Sequence, residues 1–358
     1  MKKKKILSIV GARPQFIKYG PLGEKLKQKF DERLLHTGQH YDRNMSGLFF
    51  EELNIAEPDI NLEVGSYPHG KQTALMLEKI EDELLRFKPD LVIVFGDTNS
   101  TLAAALASVK LHIRTAHIEA GLRSFNKEMP EEINRILTDH CSDLLFCPTE
   151  TAVENLKKEN IDKGIFFSGD IMYEAFLENQ KIAEIKSDIL NKLGLKRESY
   201  LLATLHRAEN TDNIENLRNI IGAFNEIDRI IILPLHPRTK KIINENNIKV
   251  NANIRSIEPV GYLDLLSLLQ NCKKVLTDSG GLQKETFFAN KFCKTLRNET
   301  EWVETLKENR NVLCGTDPEK IKKEALKEEG SFKQNYYPFG DGNTSEKIIS
   351  VIEENISM

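Results

Sequence analysis

The chain has 358 residues, with 50 lysines and arginines against 54 aspartates and glutamates and a net charge of −4. That balance argues against a general nucleic-acid binder, which carries a basic surface. A chain that is 40% apolar and 29% charged, with no apolar run near membrane-spanning length, fits a soluble globular protein. The length fits two domains, each able to bury its own core. The five cysteines, Cys141, Cys147, Cys272, Cys293 and Cys314, are scattered and lack metal-ligand spacing. They point to a reduced cytoplasm and packing roles. The opening MKKKK meets ILSIV at once, too short a run for a signal peptide, so the lysines are expected to form a solvated end.

Apolar β-rich runs then alternate with helical patterns. KILSIV leads through GARPQFIK into a helix from about Gln15. RLLHTG precedes a helix around MSGLFFEEL, and DLVIVFGD precedes TNSTLAAALASVKL. RTAHIEAG precedes PEEINRILTDHC, DLLFCPT precedes ETAVENLKKE, and FFSGD precedes another helical stretch. Near-continuous apolar strands such as LVIV imply a parallel sheet covered on both faces. From about Ile182 to Ser199 the chain turns Lys- and Glu-rich, and afterwards the alternation restarts with YLLATLH, RIIILPLH, IRSIEPV, KKVLTDS, FCKTLR and NVLCGT. The expected fold is α/β, two Rossmann-like parallel-sheet domains facing a cleft. The expected division is 1–170, 171–340 and a final helix over 341–358. Ligands of such sheets sit beyond the carboxyl ends of the strands.

The strand ends carry the chemistry. Arg13 and Lys18 follow the first strand; they read either as solvated cations or as a clamp on phosphate. No GxGxxG is present, so a dinucleotide cofactor lacks its usual support. His36 and His40 straddle Gly38 in HTGQH, a loop without a third ligand, so a polar contact from Gln39 or His40 is expected there instead of a metal. Asp97 follows the most apolar strand; a helix cap would explain it, but Thr98 is equally available and one cap suffices. Glu119 follows the next strand. Glu131 and Glu132 open a helix whose dipole suits them. Asp97, Glu119 and Glu131 are expected to converge, and crowded carboxylates raise one another's proton affinity, as a general acid or base requires.

In the second half, His206 and Arg207 end one strand, His236 ends the next, and Arg297 follows a later one. The stretch TDSGGLQKE places Ser279, Gly280 and Gly281 at a helix start, where free N–H groups favour a diphosphate. Glu285, further along that helix, suits the paired hydroxyls of a ribose. His206 is expected to face the Ser279–Gly281 turn across the cleft. Trp302 is expected to pack.

Together, GARPQFIK, TGQHYD, FGDTNST, HIEAGLRS, MPEEINR, TLHRAEN, LPLHP and TDSGGLQKE resemble the non-hydrolysing UDP-N-acetylglucosamine 2-epimerase family, in order from the first strand to about Gly315. The resemblance implies the glycosyltransferase-B fold, with SEKIISVIEENI as the helix returning to the first domain. It implies removal of the C2 proton, anti elimination of UDP, and re-addition to a 2-acetamidoglycal. By resemblance the catalytic set is Asp97, Glu119, Glu131 and His206. Arg13, Ser279, Gly280 and Gly281 match diphosphate contacts, Glu285 matches the ribose contact, and Lys18, His236 and Arg297 match site positions. A UDP-sugar substrate, a homodimer and no cofactor or metal are implied, with no nucleic-acid or membrane partner.

Some residues depart from the common pattern. Gln39, His40 and Arg207 match a second-sugar region that activates some bacterial members, but Asp42 and Lys71 replace the expected residue types, leaving activation open. GARPQF and LQKE…TLRNETEWVE look more like the branch acting on UDP-2,3-diacetamido-2,3-dideoxy-glucuronate, so both substrates stay open. FFANKFCK replaces the usual Gly-x-Pro before Arg297. A hydrolysing epimerase, a retaining glycosyltransferase of the same fold and a nucleotide-sugar-binding module are the alternatives.

Overall fold

The computed structural model describes residues 3–39, 56–330 and 336–356. The helix expected around MSGLFFEEL lies outside them. Two compact units emerge: one runs to Leu177 and takes back the chain from Tyr337, and the other is Glu178–Tyr336.

Unit one is built on seven strands: β1 (Lys5–Val10), β2 (Asp31–His36), β3 (Ile60–Asn61), β4 (Leu91–Phe95), β5 (Arg114–Ile118), β6 (Leu144–Cys147) and β7 (Ile165–Phe167). All pair in parallel, in the order β3-β2-β1-β4-β5-β6-β7. Every residue of β4 and β6 is buried, which is why these segments show no polar alternation. One face packs Leu7, Ile9, Val92 and Val94 against Met76, Ile80 and Leu84 of the helix His69–Phe87 and Ala103, Ala104 and Ala107 of the helix Asn99–Lys110. The alanines let that second helix approach the sheet closely. The chain winds outward from β1 to β3, then returns to β4 on the other side of β1. The gap between β1 and β4 is therefore the topological switch point.

The helix Arg13–Lys29 begins two residues before Gln15, because the Gln15 side chain reaches back to accept from the Gly11 and Ala12 N–H groups at 2.7 and 2.9 Å. The last helix, Thr344–Ile356, buries Ile348, Ile349 and Ile352 within unit one. Lys25 Nζ donates to Ser345 Oγ at 2.6 Å, and Lys29 Nζ to Glu353 Oε2 at 2.6 Å.

Unit two has six parallel strands: β8 (Tyr200–Thr204), β9 (Ile230–Pro234), β10 (Ile254–Ile257), β11 (Lys274–Thr277), β12 (Phe292–Thr295) and β13 (Asn311–Leu313). Their order is β10-β9-β8-β11-β12-β13, which puts its switch point between β8 and β11. Leu201, Ala203, Ile231, Leu233 and Leu276 pack against Leu217, Ile220, Ile221 and Phe224 of the helix Ile214–Asn225. No helix among the described residues is long and apolar enough to cross a membrane.

Candidate active site

In unit one the loops after β1, β4 and β5 meet at the switch point. Gly96 adopts φ +63, and a Cβ there would lie 2.9 Å from Lys18 Nζ and 3.4 Å from Glu119 Oε2. A side chain there would crowd the Lys18 ammonium, and the left-handed backbone itself favours glycine. Lys18 donates to Glu119 Oε2, and both side chains are buried. The surface-cation reading of Lys18 is therefore corrected: its ammonium sits inside, neutralised by a carboxylate from the neighbouring loop. Glu119 itself holds φ +75, a left-handed conformation uncommon for a side-chain-bearing residue.

Asp97 is not the helix cap. Thr98 fills that role, its hydroxyl accepting from Thr101 N at 3.3 Å. The Asp97 carboxylate is left to accept from Arg135 Nη2 at 2.6 Å. Arg135 Nη1 also donates to Glu132 Oε2 at 2.8 Å. Glu132 in turn accepts from the Ser124 and Phe125 N–H groups at 2.9 Å each. Burial would push the Glu132 carboxyl up, but the Ser124 amide, Arg135 and the Phe125 amide outweigh it and hold it below the ordinary range. Glu131 is half-buried in the first turn of the same helix, Pro130–Cys141. Two of the three acids are held in ion pairs, Asp97 with Arg135 and Glu119 with Lys18. Arg13 is exposed at the first turn of its helix. Gln39 faces inward, its Oε1 accepting from Ser100 N at 3.1 Å and Ser100 Oγ at 2.7 Å. Lys71 stacks on the Tyr67 ring at 4.2 Å. His40 and Asp42 lie outside the described residues.

In unit two the loops after β8 and β11 lie side by side, so His206 does not face the Ser279 turn across a cleft. The strands are neighbours, and the Thr204 and Thr277 hydroxyls at their ends are 2.5 Å apart. Fully buried Asp278 binds the two loops together. It accepts from His206 N at 3.1 Å, Arg207 N at 3.0 Å and Asn210 Nδ2 at 3.2 Å. Its Oδ1 is also 3.4 Å from His206 Nδ1. Burial lowers the His206 imidazole's proton affinity, and Arg207 and His236 add to this against Asp278, so the net direction is down. His206 is thus held toward its neutral form while 51% of its side chain stays open to solvent. His236 caps the helix Pro237–Glu245, its Nδ1 accepting from Arg238 N at 3.3 Å.

Ser279 caps the helix Gly280–Phe288, accepting from Leu282 N at 3.4 Å. A Cβ on Gly280 would collide with Glu301 Oε1, whereas one on Gly281 would meet Ser279 Oγ at an ordinary 4.0 Å. Glu285 is buried and accepts from the Tyr262 hydroxyl at 2.8 Å. Arg297 is buried among carboxylates, with Glu209 at 3.2 Å and Glu301 at 3.3 Å. Trp302 packs as expected, 5% exposed with Lys284 Nζ over its ring at 3.8 Å.

Sequence reasoning missed Arg135 and Asp278, which organise the two clusters. Both stand inside stretches singled out for other residues, MPEEINR and TDSGGLQKE, but nothing local says that either side chain turns toward a distant loop.

The model of the UDP-N-acetylglucosamine 2-epimerase family matches residues 24–353. A UDP-N-acetylglucosamine 2-epimerase homolog of Methanococcus maripaludis is 53% identical over 97% of this chain and 99% of its own length. The UDP-2,3-diacetamido-2,3-dideoxy-D-glucuronate 2-epimerase of Pseudomonas aeruginosa is 47% identical, covering 96% and 98%. The crystal structure of the Methanocaldococcus jannaschii UDP-GlcNAc 2-epimerase in complex with UDP-GlcNAc and UDP superposes with a TM-score of 0.89 at 45% identity, over 98% of this chain and 99% of that one. A match of this extent, on a fold with the same two parallel sheets, places the chain in the UDP-N-acetylglucosamine 2-epimerase family.

Proposed function

We propose that the protein inverts C2 of a UDP-2-acetamido sugar without hydrolysing it. A base takes the C2 proton as UDP leaves C1 by anti elimination, a 2-acetamidoglycal stays bound, and UDP adds back to C1 with a proton delivered to the opposite face of C2. The observation that carries this reading is the pairing of carboxylates with buried cations at one switch point. Asp97 on Arg135 and Glu119 on Lys18 are acids held in fixed geometry where such sheets bind ligands. Asp97, Glu119 and Glu131 are the groups we assign to proton removal and return. Ser279, Gly280, Gly281 and Arg13 are assigned to the diphosphate, which the helix N–H groups favour. His206, drawn toward neutrality, serves as a hydrogen-bonding or proton-transferring group more than as a fixed charge. Glu285 is assigned to the ribose hydroxyls, and Lys18, His236 and Arg297 to the walls of the site.

The substrate is UDP-N-acetylglucosamine or its 2,3-diacetamido glucuronate analogue; relatives named for each are similar over almost the whole chain. The five free cysteines fit a cytoplasmic protein, and the family resemblance implies a homodimer, which light scattering tests. Proton NMR of both UDP-sugars in D2O tests the reaction. Deuterium should enter C2 and two epimers should accumulate from the substrate alone. Release of UDP with free sugar, or a requirement for an acceptor, would overturn the reading. Asp97→Asn and Glu131→Gln should each abolish C2 exchange while retaining UDP binding, and near-normal turnover in either removes that residue from the set.

A further inference from the structure

A fully buried ionisable pair of unit one lies behind the acids. His117, next to last in β5, and Asp139, on the helix Pro130–Cys141, are each inaccessible to solvent at their side chains. His117 Nδ1 is 2.7 Å from Asp139 Oδ1, and Nε2 is 2.7 Å from the carbonyl oxygen of Gly96. A carbonyl only accepts, and the Nδ1 partner is a carboxylate. Two acceptors call for an N–H on each ring nitrogen. Asp139 Oδ2 also accepts from Gly121 N at 3.1 Å and Arg123 Nη1 at 2.7 Å, and Arg123 Nε donates to Glu159 Oε1 at 2.6 Å. Burial would raise the Asp139 carboxyl's proton affinity; His117 and Arg123 outweigh it and keep it low.

What this pair grips is specific. The Gly96 carbonyl belongs to the peptide bond that begins Asp97, and Gly96 packs against the Lys18–Glu119 pair. Gly121, two residues beyond Glu119, is tied to Asp139 at the other end. A core histidine needs only one satisfied partner on each nitrogen; here both partners bear on the loops that carry the acids. We propose that His117, protonated on both ring nitrogens between Asp139 and Gly96, is a positioning residue that orients the Gly96–Asp97 peptide and so aims the Asp97 carboxylate. This rests on the assignment of Asp97 to proton transfer.

The test compares His117→Leu, which removes both donors at similar volume, with His117→Gln, whose amide N–H reaches toward the Gly96 carbonyl. In C2-exchange kinetics with UDP-N-acetylglucosamine, His117→Leu should lower kcat about 10- to 100-fold, the penalty expected for a misaimed group. KM and the Kd for UDP should stay within about twofold, and His117→Gln should recover a large part of kcat. A folded His117→Leu protein with wild-type kcat overturns the proposal. So does a loss that appears mainly in KM or UDP affinity, or one that Gln leaves untouched. Should the leucine variant fail to fold, nitrogen NMR of the wild-type ring decides: protons on both nitrogens at neutral pH support the proposal, and a singly protonated ring overturns it. Asp97→Asn is assayed alongside. If Asp97→Asn turns over normally, the acid assignment falls and this proposal with it. If Asp97→Asn is inactive while His117→Leu is normal, only the positioning role fails.

Discussion

The two units share a plan and differ in how they anchor polar groups at their switch points. Unit one fixes carboxylates with side-chain cations, Lys18 on Glu119 and Arg135 on Asp97. Unit two fixes backbone: Asp278 gathers the amides of His206 and Arg207, and the serine-capped helix behind it keeps N–H groups toward the loop. The difference suits the roles proposed for each. A group that gives and takes a proton must be aimed as a side chain, and an ion pair aims it. A charge already present on a ligand is better met by fixed backbone dipoles, which need no counter-ion of their own.

Removing a cation from unit one is the strongest way to break this contrast. Lys18→Met takes the cation from the buried Glu119, and breaking a buried pair costs about 3–5 kcal/mol. Urea unfolding should show that loss, and an unchanged midpoint would mean the pair does not anchor the loop. Charge without a matched partner in the same unit should behave oppositely. Glu32, buried on β2, accepts from the Tyr19 hydroxyl at 3.1 Å, and burial lifts it from 4.5 to about 7 despite help from Ser8, Lys27 and Tyr19. Between pH 4.5 and about 7 the folded chain keeps a proton that the unfolded chain releases, so this group's contribution to stability falls as pH rises through that window. Glu32→Gln should therefore stabilise by about 3 kcal/mol at pH 8 and by nothing near pH 4. A difference of the same size at both pH values would show that packing, not charge, is the cause. In unit two the smallest effect is expected. Asp278→Asn keeps the shape but weakens three hydrogen bonds, for about 1–3 kcal/mol of stability and a rise of about tenfold in the Kd for UDP. Calorimetric titration giving an unchanged Kd would show that the order of the His206 loop does not matter to the nucleotide.

Much of this architecture is legible residue by residue. LVIVF, with no polar member, can only be a strand covered on both faces, and it is. TDSGG announces a strand end and a helix start, and both occur there. Lys18 reads either as a surface cation or as part of a phosphate clamp, because nothing in GARPQFIK names a carboxylate partner 101 residues away. Asp97 and Arg135 stand 38 residues apart, and Arg207 and Asp278 stand 71 apart. His206 reads as facing Ser279 across a cleft because strand order, unlike strand identity, leaves no mark in a linear pattern.

The amino-acid sequence alone determined which segments are strands and helices and which residue types stand at their ends, because burial and capping act over a few neighbouring residues. Only the tertiary structure decided which ends are adjacent, and hence which charge meets which. Crossing from β1 to β4 and from β8 to β11 is a property of the closed sheet, and ion pairing falls off too steeply with distance to be inferred before those crossings are made.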